Sequence, residues 1–216
     1  MKHRAVLFDL DGTLLDTIKD LGNAMNEGLR RLGFPQHEIA AFRYFVGEGR
    51  EQLAANALPE EKRDPATVGR LVDLFNREYS LHWSDHTRPY EGVPALLDGL
   101  ASKDIKLAIL SNKPHHFTKL MTSTLLSSWR FAMVVGALPS VPKKPDCTAA
   151  LNIARQMDVK PSEFLYLGDS GIDMKTAVAA GMFSVGALWG FRTAGELKKY
   201  GADVLIERAI DLLDLL

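Results

Sequence analysis

Asp9 and Asp11 stand two positions apart, directly after the apolar run Ala5–Phe8, and Gly12 and Thr13 follow them. Two ionised carboxylates this close repel by about 4 kcal/mol at roughly 4 Å and an effective dielectric near 20, so something must reward the pairing. Other polar groups also border predicted secondary-structure elements. Ser111, Asn112 and Lys113 follow "KLAIL"; Gly168, Asp169, Ser170 and then Asp173 follow "FLYL"; Lys143, Lys144 and Pro145 precede a helical segment beginning near 147. Carboxylates without His or Cys favour a hard, oxygen-binding cation such as Mg²⁺, which would offset the repulsion between Asp9 and Asp11. The Ser111 hydroxyl, backbone amides at Asn112 and the Lys144 ammonium suit a phosphoryl group. A metal, a carboxylate and a lysine around phosphate make a phosphoryl-transfer site, where positioning and charge neutralisation supply most of the rate. A carboxylate can attack phosphorus to give an aspartyl-phosphate. A second can protonate the leaving alkoxide and later deprotonate water.

These groups need a scaffold that gathers them. Six short apolar runs read as buried strands: "AVLF", "KLAIL", "FAMVV", "FLYL", "FSVGAL" and "ADVLI". Helix-like segments separate most of them, for example "CTAALNIARQM", where Ala149, Ala150, Ile153, Ala154 and Met157 recur at helical spacing. Continuous apolar strands alternating with helices predict an α/β fold, a parallel sheet covered on both faces. In such a sheet ligands bind beyond the carboxyl ends of the strands, where these polar groups fall. Residues 17–84 break the rhythm. Ile18, Leu21, Met25, Leu29 and Leu32 recur at helical spacing, and "EIAAFRYF", "REQLAANAL" and "VGRLVDLFNREYSLHW" also read as helices. The expected organisation is a core domain of residues 1–16 and 85–216 with a helical domain of residues 17–84 inserted.

The formal net charge of -1, with scattered positive residues, gives no support for nucleic acid or an anionic membrane as partner. No apolar run reaches the roughly 18 residues of a membrane-spanning helix. The N-terminal "MKHRAVLFDLDG" is broken by Asp9 and Asp11 and lacks a small-residue cleavage site, so a secretory signal is not expected. Cys147 is the single cysteine, and the expected compartment is the reducing cytoplasm.

"DLDGTLLD", "SNK", "KKPD" and "GDSGID", in this order, resemble the four motifs of the haloacid dehalogenase phosphatase superfamily. "YEGVPALLDGL", "LAILSNKP", "AGMFSVGALWGFRTAGEL" and "GADVLI" resemble its phosphoglycolate phosphatase-like branch. The resemblance implies a Rossmann-like core with an inserted α-helical cap, and a Mg²⁺-dependent phosphatase of a small phosphorylated metabolite. It makes Asp9 the nucleophile and Asp11 the general acid and base, with the Asp11 backbone carbonyl on the metal. Asp169 is the second carboxylate on Mg²⁺, and Asp173 binds the metal directly or through water. Ser111 and the Asn112 amide bind phosphoryl oxygens, and Lys144 neutralises nucleophile and phosphate. Gly12 and Thr13 begin a flexible turn toward the cap. "VGEGR" resembles the substrate-facing loop of this cap type, which makes Arg50 the candidate for substrate specificity. The third motif departs from the frequent Lys-Pro-x-Pro: Cys147 replaces the second proline, so a softer turn is expected there.

The expected substrate is 2-phosphoglycolate, hydrolysed through an aspartyl-phosphate by a monomer or homodimer. Within the superfamily the alternatives are a phosphosugar phosphatase, a β-phosphoglucomutase or an inorganic pyrophosphatase. A phospho-receiver signalling domain also combines an acidic pair, a hydroxyl and a lysine, but the DxDGT order and the helical insertion argue against it. Asp16, at the far end of the first motif, reads either as an early-helix residue at the hinge or as a chemical group. His82 and His86 stand four apart, yet no third ligand accompanies them, and a solvated linker is expected. His115 and His116 read as exposed helix, Cys147 as a small residue at a helix start, and Phe34, Phe42, Tyr44 and Phe45 as packing groups.

Overall fold

The computed structural model describes residues 3–216, which divide into two compact units, one of residues 3–15 with 89–216 and one of Asp16–Arg88. The first unit begins with β1 (Ala5–Phe8); the chain then passes through the two-residue strand β2 (Leu15–Asp16) into the second unit.

In that second unit α1 (Ile18–Arg31) buries Ile18, Leu21, Met25 and Leu29, four of the residues whose spacing predicts it. The segment 38–45 is not one helix. It forms a 3₁₀ turn, Ile39–Ala41, and one α-turn, α2 (Phe42–Phe45), after which Val46 is extended. Phe42 is fully buried and meets His37 and Phe45 edge-on, whereas Tyr44 is 66% exposed. Two helices follow, α3 (Arg50–Ala57) and α4 (Pro65–His82). Asp64 caps α4, accepting from Ala66 N at 3.1 Å and Thr67 N at 3.0 Å, and Pro65 stands at its first position, where no amide is needed. The unit is closed by buried Asp20, whose carboxylate accepts bonds from His86 N, His86 Nδ1, Thr87 N and Thr87 Oγ1 at 2.8–2.9 Å. That clamp keeps residues 85–88 with the helices.

The chain leaves through β3 (Arg88–Pro89), which pairs with β2. The rest of the first unit alternates α5 (Val93–Ser102), β4 (Lys106–Pro114), α6 (His115–Leu125), β5 (Phe131–Ala137), α7 (Thr148–Met157), β6 (Phe164–Gly168), α8 (Gly171–Ala180), β7 (Phe183–Ala187), α9 (Ala194–Lys199) and β8 (Val204–Ile206). The six longer strands form one sheet in the order β5-β4-β1-β6-β7-β8, every pair parallel, so the expected α/β architecture is present. β1 lies inside it with all four residues fully buried, because both its faces are covered. On one face Leu7 and Tyr166 pack against Ala150, Ile153 and Ala177 of α7 and α8.

β4 runs four residues beyond the apolar run that predicts it, through Ser111, Asn112, Lys113 and Pro114. Its register against β5 slips there: Leu110 pairs with Val135 but Pro114 with Ala137, so extra residues bulge from the ladder. Phe8 pairs with Ile109 on one side and Leu167 on the other. The residues next along the three strands therefore emerge together at one end of the sheet.

Candidate active site

Asp9 follows β1, and its amide donates to Leu167 O at 2.9 Å, which continues the ladder by one residue. Asp169 follows β6, and Asp173 lies in the first turn of α8. Ser170 caps that helix. It accepts from Asp173 N at 3.3 Å, while its own amide and hydroxyl donate to Asp173 Oδ2 at 3.1 and 2.5 Å. This reciprocal cap fixes the Asp173 carboxylate against the strand end. A Cβ on Gly168 would collide with it, so the approach requires glycine at 168. The carboxylates of Asp9, Asp169 and Asp173 each bring one oxygen to within 4.8 Å of the others, and all three residues are buried.

Lys144 reaches this cluster from the loop before α7. Its ammonium donates to Asp9 Oδ1 at 2.8 Å, Asp173 Oδ1 at 2.7 Å and Leu110 O at 2.9 Å. Burial alone would pull the Lys144 pKa down, but Asp173 and Asp9 outweigh it and hold the ammonium protonated, well above its ordinary range. Burial pushes Asp9 well above the usual carboxylate range; Lys144 opposes this, and Asp173 and Asp169 add to it. Asp169 is pushed up to about 7 by burial and then by Asp173, against hydrogen bonds from Phe191 N and Thr13. Three carboxylates against one ammonium leave two surplus negative charges if all ionise. A set of oxygen donors with that surplus, and no His or Cys, fits a hard divalent cation, with Asp9, Asp169 and Asp173 as the side chains to hold it.

The Asp11 carboxylate lies outside this cluster. Lys113 holds both its oxygens, at 3.1 and 3.2 Å. The metal role that the resemblance gives Asp11 uses its backbone carbonyl and leaves that side chain for other work. Ser111 is buried, and its Oγ accepts from Lys113 N at 3.2 Å, which leaves its O–H to donate. The Asn112 side chain donates to Lys144 O and accepts from Lys144 N, both at 2.9 Å, and so braces the lysine loop.

The turn after Asp11 is fastened rather than loose. Thr13 is fully buried and donates to Asp169 Oδ1 at 2.9 Å, and its carbonyl accepts from Trp189 Nε1 at 3.0 Å. Gly12 has φ +89, and a Cβ there would strike the Asp169 carboxylate. Asp16 accepts from Ile18 N at 3.4 Å, a local bond at the start of α1.

Arg50 belongs to the helical unit, at the start of α3. Its guanidinium bonds Glu51 at 3.0 Å and Asn76 at 3.4 Å. His82 pairs with Asp85 and His86 with Asp20, both at 2.9 Å or less, so the two histidines serve separate partners. Lys113, Thr13, Ser170 and the Asn112 side chain are site residues that motif reading alone left without these roles. Lys113 and Asn112 did carry a signal, being polar residues at the end of a buried strand.

A family model described as haloacid dehalogenase-like hydrolase matches residues 6–187. A phosphoglycolate phosphatase of Chromobacterium violaceum is 32% identical over 220 residues, covering 100% of this chain and 98% of the relative. One from Aquifex aeolicus is 31% identical, covering 99% and 96%. The crystal structure of a candidate phosphoglycolate phosphatase from Lactobacillus delbrueckii subsp. bulgaricus superposes with a TM-score of 0.93 at 27% identity, covering 100% of this chain and 98% of that one. The chain therefore belongs to the haloacid dehalogenase-like hydrolases, in the phosphoglycolate phosphatase-like branch, and is a phosphoric monoester hydrolase. Among the described residues no helix is long and apolar enough to cross a membrane.

Proposed function

We propose that this enzyme hydrolyses 2-phosphoglycolate, a small phosphorylated acid, through an aspartyl-phosphate on Asp9 and with Mg²⁺ as cofactor. The observation that carries the reading is the shared ammonium of Lys144, which ties Asp9 to Asp173 inside a buried three-carboxylate cluster. Full-length relatives bearing the phosphoglycolate phosphatase name support the substrate. The single cysteine accords with a reducing, cytoplasmic setting.

Bound at Asp9, Asp169 and Asp173, Mg²⁺ would supply Lewis-acid neutralisation of the phosphoryl oxygens. The Ser111 hydroxyl and the Asn112 amide hold those oxygens. Lys144 binds the phosphate and keeps the attacking Asp9 oxygen in place. Asp9 attacks phosphorus as the ester P–O bond breaks, and Asp11 gives its proton to the departing alkoxide. Asp11 then takes a proton from the water that opens the acyl-phosphate, returning Asp9 and releasing phosphate. Residues 17–84 are the proposed specificity cap, with Arg50 as the proposed cation for the substrate's carboxylate.

The test is phosphate release from 2-phosphoglycolate, sugar phosphates and pyrophosphate, with and without Mg²⁺. Mg²⁺-dependent release with preference for 2-phosphoglycolate is expected. Preference for a sugar phosphate or pyrophosphate would move the enzyme elsewhere in the family.

A further inference from the structure

Among the described residues the site holds two buried lysines, and only Lys144 has a part in the proposed chemistry. We propose that Lys113 is a positioning residue for proton transfer, holding the Asp11 carboxyl in the one orientation from which it serves the leaving oxygen. This inference rests on the phosphatase reading and deepens it.

The geometry around Lys113 is built. Its side chain is 4% exposed, and its ammonium lies 3.1 and 3.2 Å from the two oxygens of Asp11, whose side chain is 11% exposed. Among the described residues no other side chain bonds that carboxylate. The Asp11 backbone is already fixed, because Leu10 O accepts from Thr13, Leu14 and Leu15 amides and Gly12 N donates to Leu15 O. What remains free is rotation of the carboxyl about its two side-chain bonds, and a contact to both oxygens removes it.

Lys113 is itself pinned. It sits in the β4 bulge, where its amide donates to Ser111 Oγ and its carbonyl accepts from Thr118 Oγ1 at 3.3 Å. β5 comes so close that a Cβ on Gly136 would meet Lys113 O at 2.7 Å. Bulges beside active sites re-aim side chains, and this one turns a lysine on a strand end toward the carboxylate after β1.

The chemistry sets the readout. Asp11 must deliver a proton to an alkoxide, but a nitrophenolate departs without one. A displaced acid slows the first case alone: misplacement by about 1 Å costs on the order of 100-fold. In Lys113→Met, kcat/KM for 2-phosphoglycolate is expected to fall about 100-fold. For 4-nitrophenyl phosphate it is expected to change by no more than about twofold, while kcat falls for both because the same carboxyl activates water. Lys113→Arg, whose fork spans two carboxylate oxygens, should recover most of the loss. In an Asp11→Asn background, Lys113→Met should add no further loss on 2-phosphoglycolate.

Equal kcat/KM losses on the two esters, or none, would overturn the positioning role. If Lys113→Met does not fold, Lys113→Arg and Lys113→Gln are compared on the same two esters, with the same discriminating ratio. Wild-type enzyme inert toward both esters would instead count against the phosphatase reading.

Discussion

Asp9 and Asp173 share one ammonium: Lys144 Nζ lies 2.8 Å from the first and 2.7 Å from the second. The lysine joins the residue read as nucleophile to a residue read as metal ligand, and neutralises one of the three clustered charges. Lys144→Met should lower phosphate release about 100-fold or more, as loss of a preorganised charge does. It should also tighten Mg²⁺ binding, because a competing positive charge has gone. Calorimetric titration with Mg²⁺ beside the activity assay checks both; weaker Mg²⁺ binding would mean the lysine does not oppose the cation.

The pH dependence of the metal-free protein follows from Asp169, held at about 7 by burial and by Asp173. A carboxyl raised in the folded state stabilises below its unfolded pKa of about 4, and that contribution is lost as pH rises through the folded value. The metal-free melting temperature should therefore fall between about pH 5 and about pH 8. Mg²⁺, which needs the ionised carboxylates, should raise it more at the higher pH. Asp169→Asn should flatten both effects, as read by thermal melts with and without Mg²⁺.

Asp20 predicts a stability effect remote from chemistry. Burial pushes its carboxyl up, but the bonds from His86 and Thr87 outweigh this and hold it below its ordinary value. Its contribution is present at neutral pH and fades as the solution is acidified below about pH 4. Asp20→Ala leaves several donors unsatisfied and should cost about 3 kcal/mol. Hydrogen exchange should show faster opening across Asp16–Arg88, with the sheet of the other unit little changed.

Arg50→Ala should raise KM for 2-phosphoglycolate about tenfold and leave KM for 4-nitrophenyl phosphate near wild type, since only the first carries a carboxylate. Steady-state kinetics on the two substrates decide it, and equal shifts would remove Arg50 from specificity.

Much of the core could be read from the chain because its strands are continuously apolar; "AVLF" matches β1 residue for residue. β4 exceeded its apolar run because Asn112 and Lys113 are buried against polar partners far along the chain. Asp11 lies 102 residues from Lys113, and Lys144 lies 32 from Asn112. No local pattern encodes such a pair. Asp20 carries no motif signal: it is an acidic residue in the first turn of α1, and only the return of residues 86–87 makes it a clamp. The segment 38–45 has helical composition, but packing of Phe42 against Phe45 and His37 accompanies a 3₁₀ turn and one α-turn instead. The Asp9, Asp169 and Asp173 gathering was accessible because each follows, within a turn, the end of a recognisable parallel strand.

In the proposed cycle Asp9 carries the phosphoryl group. Enzyme mixed with 2-phosphoglycolate and Mg²⁺, quenched in acid within the first turnovers and digested for mass spectrometry, tests it directly. A phosphoryl adduct on Asp9, lost on hydroxylamine treatment and missing in Asp9→Asn together with turnover, is the predicted result. An adduct on another residue, or undiminished phosphate release by Asp9→Asn, would contradict it.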